Sequence, residues 1–231
     1  MGVEVQLKFS VSSVWLGLPE NIAADLLGRA IRCDLTSGAV LFEAGDPGDG
    51  FYRLDEGALK VTLQSPSGEE RILAILGTNS IVGDLAIIDG QPRSATVIAL
   101  SDCSLRYVSR SEFLSCAAQH PELYRYLVKL LASRLRETDH TIEALAFLSA
   151  RGRVAYALLE IADALGEKTN SHAVVIPNII HQRDVAALAG VARENTNRIL
   201  KEWERSKILT RLSRAYRIND QQKLEREMQW E

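Results

Sequence analysis

The hydrophobic pattern of this 231-residue chain changes once, from short alternating runs to a helical repeat, and that change constrains the fold most. Between residues 39 and 109, runs rich in β-branched and aromatic residues alternate with turns rich in Gly, Pro, Asp and Ser. This punctuation is typical of an antiparallel sandwich or barrel. The predicted strands are Val40–Phe42, Phe51–Leu54, Leu59–Leu63, Arg71–Leu76, Ala95–Ala99 and Ser104–Val108, after a helix over Glu20–Ala30.

After Pro121 the apolar residues recur at steps of three and four, which predicts one long helix up to about Leu148. Proline suits the first turn because its missing N–H has no intrahelical partner there. The apolar seam consists of Leu127, Leu131, Leu135, Thr138, Ile142 and Leu145. Such a seam is either buried within one subunit or paired with a second copy, and its heptad-like steps favour a parallel homodimer.

The last third of the chain has the pattern of a winged helix-turn-helix. Ser149 is a suitable N-cap for the first helix of this part. A short helix, a turn at Gly190 and a second helix then follow, and this order is the signature of the motif. The predicted elements are helices over Arg151–Leu165, Gln182–Leu188 and Arg193–Ser206, a polar loop over 166–173, and a basic hairpin of Ile208–Leu212 and Ala215–Ile218.

Charge divides the chain at the same place. The overall net charge is −3, but residues 1–149 carry 13 Lys and Arg against 19 Asp and Glu, and residues 150–231 carry 14 against 11. Between residues 183 and 217 the count is 9 against 4. A basic module joined to an acidic one favours a polyanion as the partner of the basic half. An uneven surface without a function would give the same asymmetry.

Composition argues against several classes of protein. Apolar residues make up 46% of the chain, a soluble balance, and no apolar run approaches the roughly 18 residues of a membrane span. The segment Met1–Lys8 does not resemble a signal peptide, so the reducing cytoplasm is the expected location. Cys33, Cys103 and Cys116 are too few and too far apart for a disulfide framework or a zinc site. We find no nucleophile–base pair and no metal cluster, so neither an enzyme nor a metalloprotein is indicated.

The stretch from Gly83 to Thr96 has the residue types needed to bury a cyclic phosphodiester. Arg93 can donate a forked, charge-assisted pair of hydrogen bonds to phosphate, and Ser94 adds a hydroxyl and a backbone N–H. Gly83 allows the backbone to approach closely, and Asp84 can accept from a ribose hydroxyl. A turn with a surface arginine would explain an isolated Arg-Ser pair equally well.

The full stretch, with Gly83-Asp84-Leu85 at its start and Pro92-Arg93-Ser94-Ala95 at its end, resembles the phosphate-binding cassette of the cyclic-AMP receptor protein (CRP/FNR) family. The resemblance runs from about Glu20 to Ile218 and implies an α+β fold. Its parts would be an eight-stranded, jelly-roll-type cyclic-nucleotide-binding β-roll (1–120), a dimerisation helix with a hinge (121–148) and a winged helix-turn-helix DNA-binding domain (149–231). It also implies a homodimeric bacterial transcription regulator, with RNA polymerase as a partner and cyclic AMP as allosteric ligand.

The resemblance also assigns the ligand-binding residues. They are Gly83, Asp84, Leu85, Arg93 and Ser94 in the cassette, with Arg134, Thr138 and Asp139 on the long helix. Two positions depart from the pattern: Asp84 stands where members that bind cyclic AMP usually have Glu, and Asp139 where the cyclic-AMP receptor has Ser. A carboxylate suits the paired N–H donors of guanine, so cyclic GMP is a second candidate ligand.

Other effectors of this family are weighed by residue type. Cyclic di-GMP, or no effector at all, is the alternative to a cyclic mononucleotide. Iron–sulfur sensing needs clustered thiolates and haem sensing needs an axial ligand. The strand region has neither, because His120, His140, His172 and His181 all lie outside it. No metal is therefore expected.

The second helix of the predicted helix-turn-helix carries the residues that would read DNA. Arg193, Glu194 and Arg198 match the family's Arg-Glu-x-x-x-Arg triad, which implies palindromic sites of the GTGA/TCAC type in double-stranded DNA. Arginine pairs with guanine and glutamate accepts from cytosine, and Asn197 lies at the same end of the helix. A solvated face of Arg–Glu pairs is the plainer explanation of the triad alone. Candidates for phosphate contacts are Arg183, Thr196, Lys201, Lys207, Arg211, Arg214 and Arg217.

Overall fold

The computed structural model describes residues 18–169, 173–213 and 215–228. Met1–Lys8, which we predicted not to be a signal peptide, lies outside these ranges. The helices are α1 (Glu20–Gly28), α2 (Leu85–Asp89), α3 (Arg110–Gln119), α4 (Glu122–Phe147), α5 (Ala150–Leu165), α6 (Gln182–Ala189), α7 (Arg193–Arg205) and α8 (Gln221–Arg226). The strands are β1 (Ile31–Leu35), β2 (Val40–Phe42), β3 (Gly50–Glu56), β4 (Leu59–Gln64), β5 (Glu70–Leu76), β6 (Ile81–Val82), β7 (Thr96–Ala99), β8 (Cys103–Ser109), β9 (Glu167–Lys168), β10 (Val174–Ile176), β11 (Leu209–Arg211) and β12 (Tyr216–Ile218).

The first eight strands form two antiparallel sheets of four strands each. Their orders are β1-β8-β3-β6 and β2-β7-β4-β5. Side chains of a strand alternate between its two faces, and the inward-facing Leu54, Leu59 and Leu105 are fully buried in a core that both sheets share. The predicted eight-stranded β-roll is confirmed.

The sequence analysis missed β1 and α3 for different reasons. β1 pairs with β8 along one edge only, and none of its five residues is buried, so it lacks the alternation that marks a strand. α3 is capped by Ser109, whose hydroxyl accepts from the Glu112 N–H, and it buries only a narrow face of Phe113, Cys116 and Ala117. That face is too narrow to give a strong helical pattern.

The predicted long helix is confirmed as α4, and its two sides have different surroundings. Leu123, Leu127 and Leu130 are buried against α1 and α3. Leu127 therefore belongs to the core of its own chain and not to the outer seam. This corrects the prediction that placed Leu127 in the seam. The outer seam instead contains Val128, Leu135 and Ile142, exposed by 64%, 64% and 58%, with Leu131, Thr138 and Leu145 each three residues further on. Among the described residues, no helix combines the length and apolarity needed to span a bilayer.

The C-terminal part is a winged helix-turn-helix, as predicted. Ser149 caps α5 by accepting from the Gly152 N–H. α6 and α7 are joined through Gly190, whose φ of +59° favours glycine. The predicted basic hairpin is β11–β12, and it belongs to a sheet of order β11-β12-β10-β9. The predicted polar loop after α5 was wrong in part, because Glu167–Lys168 forms the edge strand β9 beside β10.

Strand β5 joins the two halves of the chain. Ile72 and Ile75 on this strand belong to the hydrophobic core of the C-terminal part. Arg71 lies against the turn of the helix-turn-helix, where a Cβ added to Gly190 would come within 1.6 Å of its Nη1. On β4, Lys60 lies 3.9 Å from the buried carboxylate of Asp184 at the start of α6. The winged helix-turn-helix is thus docked on the β-roll of the same chain.

Candidate functional site

The cassette predicted from the sequence is a tight loop around the short helix α2. Gly83 precedes this helix with a φ of +84°, a conformation that glycine adopts without strain. A Cβ at this position would lie 2.4 Å from the Nη1 atom of Arg93. Glycine is therefore required at this position for two reasons: the positive φ of the turn and the close approach of the Arg93 side chain.

Arg93 is a fixed, buried cation. Its side chain is only 4% exposed, and Nη1 donates to the carbonyl oxygens of Gly50 at 2.7 Å and Gly83 at 2.8 Å. The guanidinium also lies over the ring of Phe42, 4.4 Å from its centroid. Its Nη2 forms a long ion pair with the exposed carboxylate of Asp49 at 3.9 Å, and among the described residues Nη2 and Nε make no hydrogen bond that an anion would have to displace.

Asp84 is a buried acceptor beside this cation. The residue is 2% exposed, and its Oδ1 forms an ion pair with Arg134 Nη1 at 2.9 Å. Arg134 also donates from Nη2 to the Ile81 carbonyl at 2.6 Å, which ties α4 to the cassette. Neither carboxylate oxygen of Asp84 accepts a properly oriented hydrogen bond from the described residues. Buried polar groups rarely lack such a partner, and a ligand hydroxyl would supply one.

These residues line a cavity of about 450 Å³, which we call the effector cavity. Its cassette wall includes all five predicted residues: Gly83, Asp84, Leu85, Arg93 and Ser94. The volume is in the ordinary range for a small-molecule site. The structure therefore brings the predicted phosphate-binding residues together around a space that a ligand can enter.

Helix α4 supplies a second wall. Arg134 and Thr138 line the cavity as expected, although the Thr138 hydroxyl currently donates to the Arg134 carbonyl at 2.9 Å. Asp139 departs from the expectation, because its side chain is exposed and does not line the cavity of its own chain. Residues three, four and seven positions after Arg134 share its helix face, whereas position 139 is turned away from it. The carboxylate that does line the cavity is Glu137, which the sequence analysis missed.

The third wall comes from α5, in the C-terminal half of the chain, and was not predicted. It includes Tyr156, Glu160 and Asp163. Burial and the charge of Glu137 raise the pKa of Glu160 to about 8. Burial also raises the pKa of Glu137 and of Asp163. One cavity therefore contacts the cassette, the long helix and the first helix of the C-terminal half.

The raised pKa of Glu160 predicts a pH-dependent stability. Because the folded chain retains a proton that the unfolded chain loses above a pKa of 4.5, the free energy of unfolding falls as pH rises from there to about 8. Urea unfolding at pH 5.5 and 8.0 should show Glu160→Gln losing less stability than wild type over this interval, by about 3 kcal/mol. The exposed Glu56→Gln serves as control; equal slopes for all three proteins would contradict the prediction.

Helix α7 separates a buried face from an exposed one. Thr196, Ile199, Leu200 and Trp203 are buried at helical spacing and hold the helix in the domain. Arg193, Glu194 and Arg198 are exposed, and Asn197 is partly buried beside them. Arg198 donates to Asn195 Oδ1 at 2.7 Å and to Glu202 Oε1 at 3.0 Å, so neighbours on the same helix orient its guanidinium.

Thr196 is a correction, because it is 0% exposed and lies on the buried face of α7. Its position three residues before Ile199 places it inside the domain, so it does not contact a phosphate from there. Arg214 lies outside the described residues. Of the other phosphate-contact candidates, Arg217 is partly buried and the more exposed members are Arg183, Lys201, Lys207 and Arg211.

Comparison with known proteins agrees with both halves of the site. A model of the cyclic nucleotide-binding domain matches residues 32–120, and a model of the Crp-like helix-turn-helix domain matches residues 152–227. The cyclic AMP receptor protein of Thermus thermophilus is 35% identical over 164 residues, 71% of this chain and 72% of the relative. A CRP-like cAMP-activated global transcriptional regulator of Mycobacterium tuberculosis is 28% identical over 215 residues, 93% of this chain and 96% of the relative.

The fold is also shared with solved structures. FixK2 from Bradyrhizobium japonicum superposes with a TM-score of 0.76 at 22% identity, covering 85% of this chain and 96% of FixK2. The family that these matches indicate is one of transcription regulators and not of enzymes. From its cassette, its helix-turn-helix and these relatives, the chain belongs to the CRP/FNR family of transcription regulators.

Proposed function

We propose that this chain is a homodimeric regulator that binds cyclic AMP and then a palindromic DNA site of the GTGA/TCAC type. The observation that carries the proposal is the buried Arg93 in the effector cavity, beside the buried carboxylate of Asp84, which Arg134 holds at 2.9 Å. We propose that it acts in the cytoplasm and that the DNA-bound dimer contacts RNA polymerase.

The chemistry of the effector cavity fits a cyclic mononucleotide. The Nη2 and Nε atoms of Arg93 and the hydroxyl of Ser94 would bind the cyclic phosphate, and Asp84 would accept from the ribose 2′-hydroxyl. The base would then extend toward Thr138 and Glu137 on α4. Two relatives carry cyclic AMP in their names, which supports cyclic AMP as the ligand. Glu137 can accept from the N–H donors of guanine, so cyclic GMP remains the second candidate.

The exposed seam of α4 supports the homodimer. Val128, Leu135 and Ile142 are seven residues apart, and Leu131 and Leu145 extend the heptad pattern on the same side. A two-helix coiled coil buries such a seam. Since Thr138 lies in the seam and also lines the cavity, the bound base and the second subunit would meet at this residue.

Ligand and DNA measurements test the effector assignment. Calorimetry should show micromolar or tighter binding of cyclic AMP, and cyclic AMP should increase affinity for a GTGA/TCAC palindrome. Cyclic GMP and cyclic di-GMP are the comparison ligands. Tight binding of cyclic di-GMP alone, or DNA binding that no nucleotide changes, would favour the alternative of a different effector or none.

Arg193→Ala tests the DNA-reading helix. We expect a loss of about 1–3 kcal/mol in affinity for the specific site and a weaker preference at one guanine, because a bidentate pair to the base is lost. Competition binding against a set of single-base variants measures both effects. Lys207→Ala, at an exposed phosphate-contact candidate, should weaken all sequences about equally. An equal loss on specific and random DNA for Arg193→Ala would mean that this residue does not read bases.

A further inference from the structure

We propose that Asp25, Cys116 and His120 form a zinc-binding site with three protein ligands and a fourth position open to water. The site joins α1 to α3 and is separate from the effector cavity, since none of the three residues lines that cavity. Cys116 and His120 are four residues apart at the end of α3, so they lie on one side of the helix. Asp25 faces them from α1.

The distances between the ligand atoms carry the proposal. Asp25 Oδ2 lies 3.4 Å from Cys116 Sγ and 3.6 Å from His120 Nε2, and all three atoms lie within 4.8 Å of one another. Zinc bonds of about 2.0–2.3 Å in tetrahedral geometry separate ligand atoms by roughly 3.3–3.8 Å. Two of the three separations already have this value, and the third, between Cys116 and His120, is no longer than 4.8 Å.

The donor types favour zinc among the divalent cations. One sulfur, one imidazole nitrogen and one carboxylate oxygen form a mixed set that suits a borderline-soft ion, whereas magnesium and calcium prefer oxygen alone. Three protein ligands are too few for the usual closed structural site and leave a coordination position free. Cys116 is fully buried, but the side chains of Asp25 and His120 are 29% and 26% exposed, so an ion can reach the site from solvent.

The neighbouring charges hold the carboxylate in position. Arg29 Nη2 lies 3.2 Å from Asp25 Oδ1, which leaves Oδ2 directed at the other two ligands. Glu112 lies 3.6 Å from Arg29 Nη1 and offsets part of the positive charge of the arginine. Such outer partners commonly orient metal ligands.

Binding zinc would replace one proton. Without the metal, burial and the neighbouring Asp25 raise the pKa of the Cys116 thiol to about 11, so the thiol keeps its proton. When the sulfur–zinc bond forms, the S–H bond breaks and the proton leaves to water, with no change in oxidation state. The exchange needs no further reactant.

Metal titration of the full chain tests the site. After dialysis against a chelator, we expect one Zn²⁺ per chain at micromolar or lower concentration, with a higher melting temperature. Co²⁺ in its place should give a thiolate-to-cobalt absorption band in the near ultraviolet. His120→Ala and Cys116→Ser should each weaken zinc binding by at least about 10-fold, and Cys116→Ser should also remove the cobalt band.

Matched controls separate this site from adventitious binding. Cys33→Ser and His140→Ala change the same residue types elsewhere in the chain and should leave the zinc affinity unchanged. Should Cys116→Ser not fold, the partly exposed His120→Ala still decides the question. The proposal is overturned if the wild type takes up no zinc, or if His120→Ala binds it as tightly as the wild type does. None of these zinc measurements depends on whether the chain binds a cyclic nucleotide.

Discussion

Arg93→Ala should abolish the response to cyclic nucleotide. The guanidinium is the buried cation of the effector cavity, and a forked pair of charge-assisted hydrogen bonds is worth about 3–5 kcal/mol, or roughly 10²–10⁴-fold in affinity. We expect calorimetry to detect no tight binding, and DNA affinity to stay at its ligand-free value after cyclic AMP is added. An affinity within about threefold of wild type would refute the role of Arg93 in ligand binding.

Two further measurements separate ligand binding from folding in this experiment. Arg93 also donates to the carbonyls of Gly50 and Gly83, and losing those hydrogen bonds would cost about 1–3 kcal/mol of stability. The variant must therefore be checked for folding. If it folds, its circular dichroism spectrum and its ligand-free DNA affinity should stay close to those of wild type. Arg93→Lys retains the charge but not the fork, so it should bind more weakly than wild type and more tightly than Arg93→Ala.

Leu135→Glu should separate the proposed homodimer into monomers. Leu135 is 64% exposed in the middle of the outer seam of α4, so in a dimer the change would place two carboxylates opposite each other. Losing two buried leucines alone costs about 3–6 kcal/mol, and the buried charges add to this. Sedimentation should show a monomer at micromolar concentration, and affinity for the palindrome should fall by at least about 100-fold.

The control for this change is Leu114→Glu. Leu114 is a 44% exposed leucine on α3, away from the seam, so the same substitution there should leave the molecular mass and DNA affinity unaltered. A dimer that persists in Leu135→Glu would show that another surface joins the subunits.

The sequence predicted the parts of the fold that have a strong local pattern. Strands β3, β4 and β8 each combine buried apolar residues with turns at their ends, and α4 and α7 present apolar residues at helical steps, so these elements were found with small errors at their ends. The edge strand β1 buries no residue and therefore lacks that signal. Gly83, Asp84, Arg93 and Ser94 could be predicted because they lie within one short segment.

The remaining site residues depend on how distant segments meet. Glu160 reaches the effector cavity only because α5 packs beside α4, which no local pattern reveals. Asp139 was placed in the site by resemblance, but the turn of the helix puts it outside the cavity. The expectation that no metal binds rested on the spacing of the cysteines and the positions of the histidines along the sequence, whereas Asp25 and Cys116 meet although they are 91 residues apart.

Strand β5 belongs to the β-roll and also packs in the C-terminal half, and this sets a lower limit on the free energy that an effector must supply to separate the two halves. Ile72 and Ile75 belong to the hydrophobic core of the C-terminal half, so moving that half away from the β-roll would expose both side chains to water. Exposing two buried isoleucine side chains to water costs about 3–6 kcal/mol of free energy. A ligand moves such an equilibrium only by its preference for one arrangement over the other. An effector that releases the DNA-binding half must therefore favour the released arrangement by a comparable amount, or new apolar contacts must shelter the same two side chains.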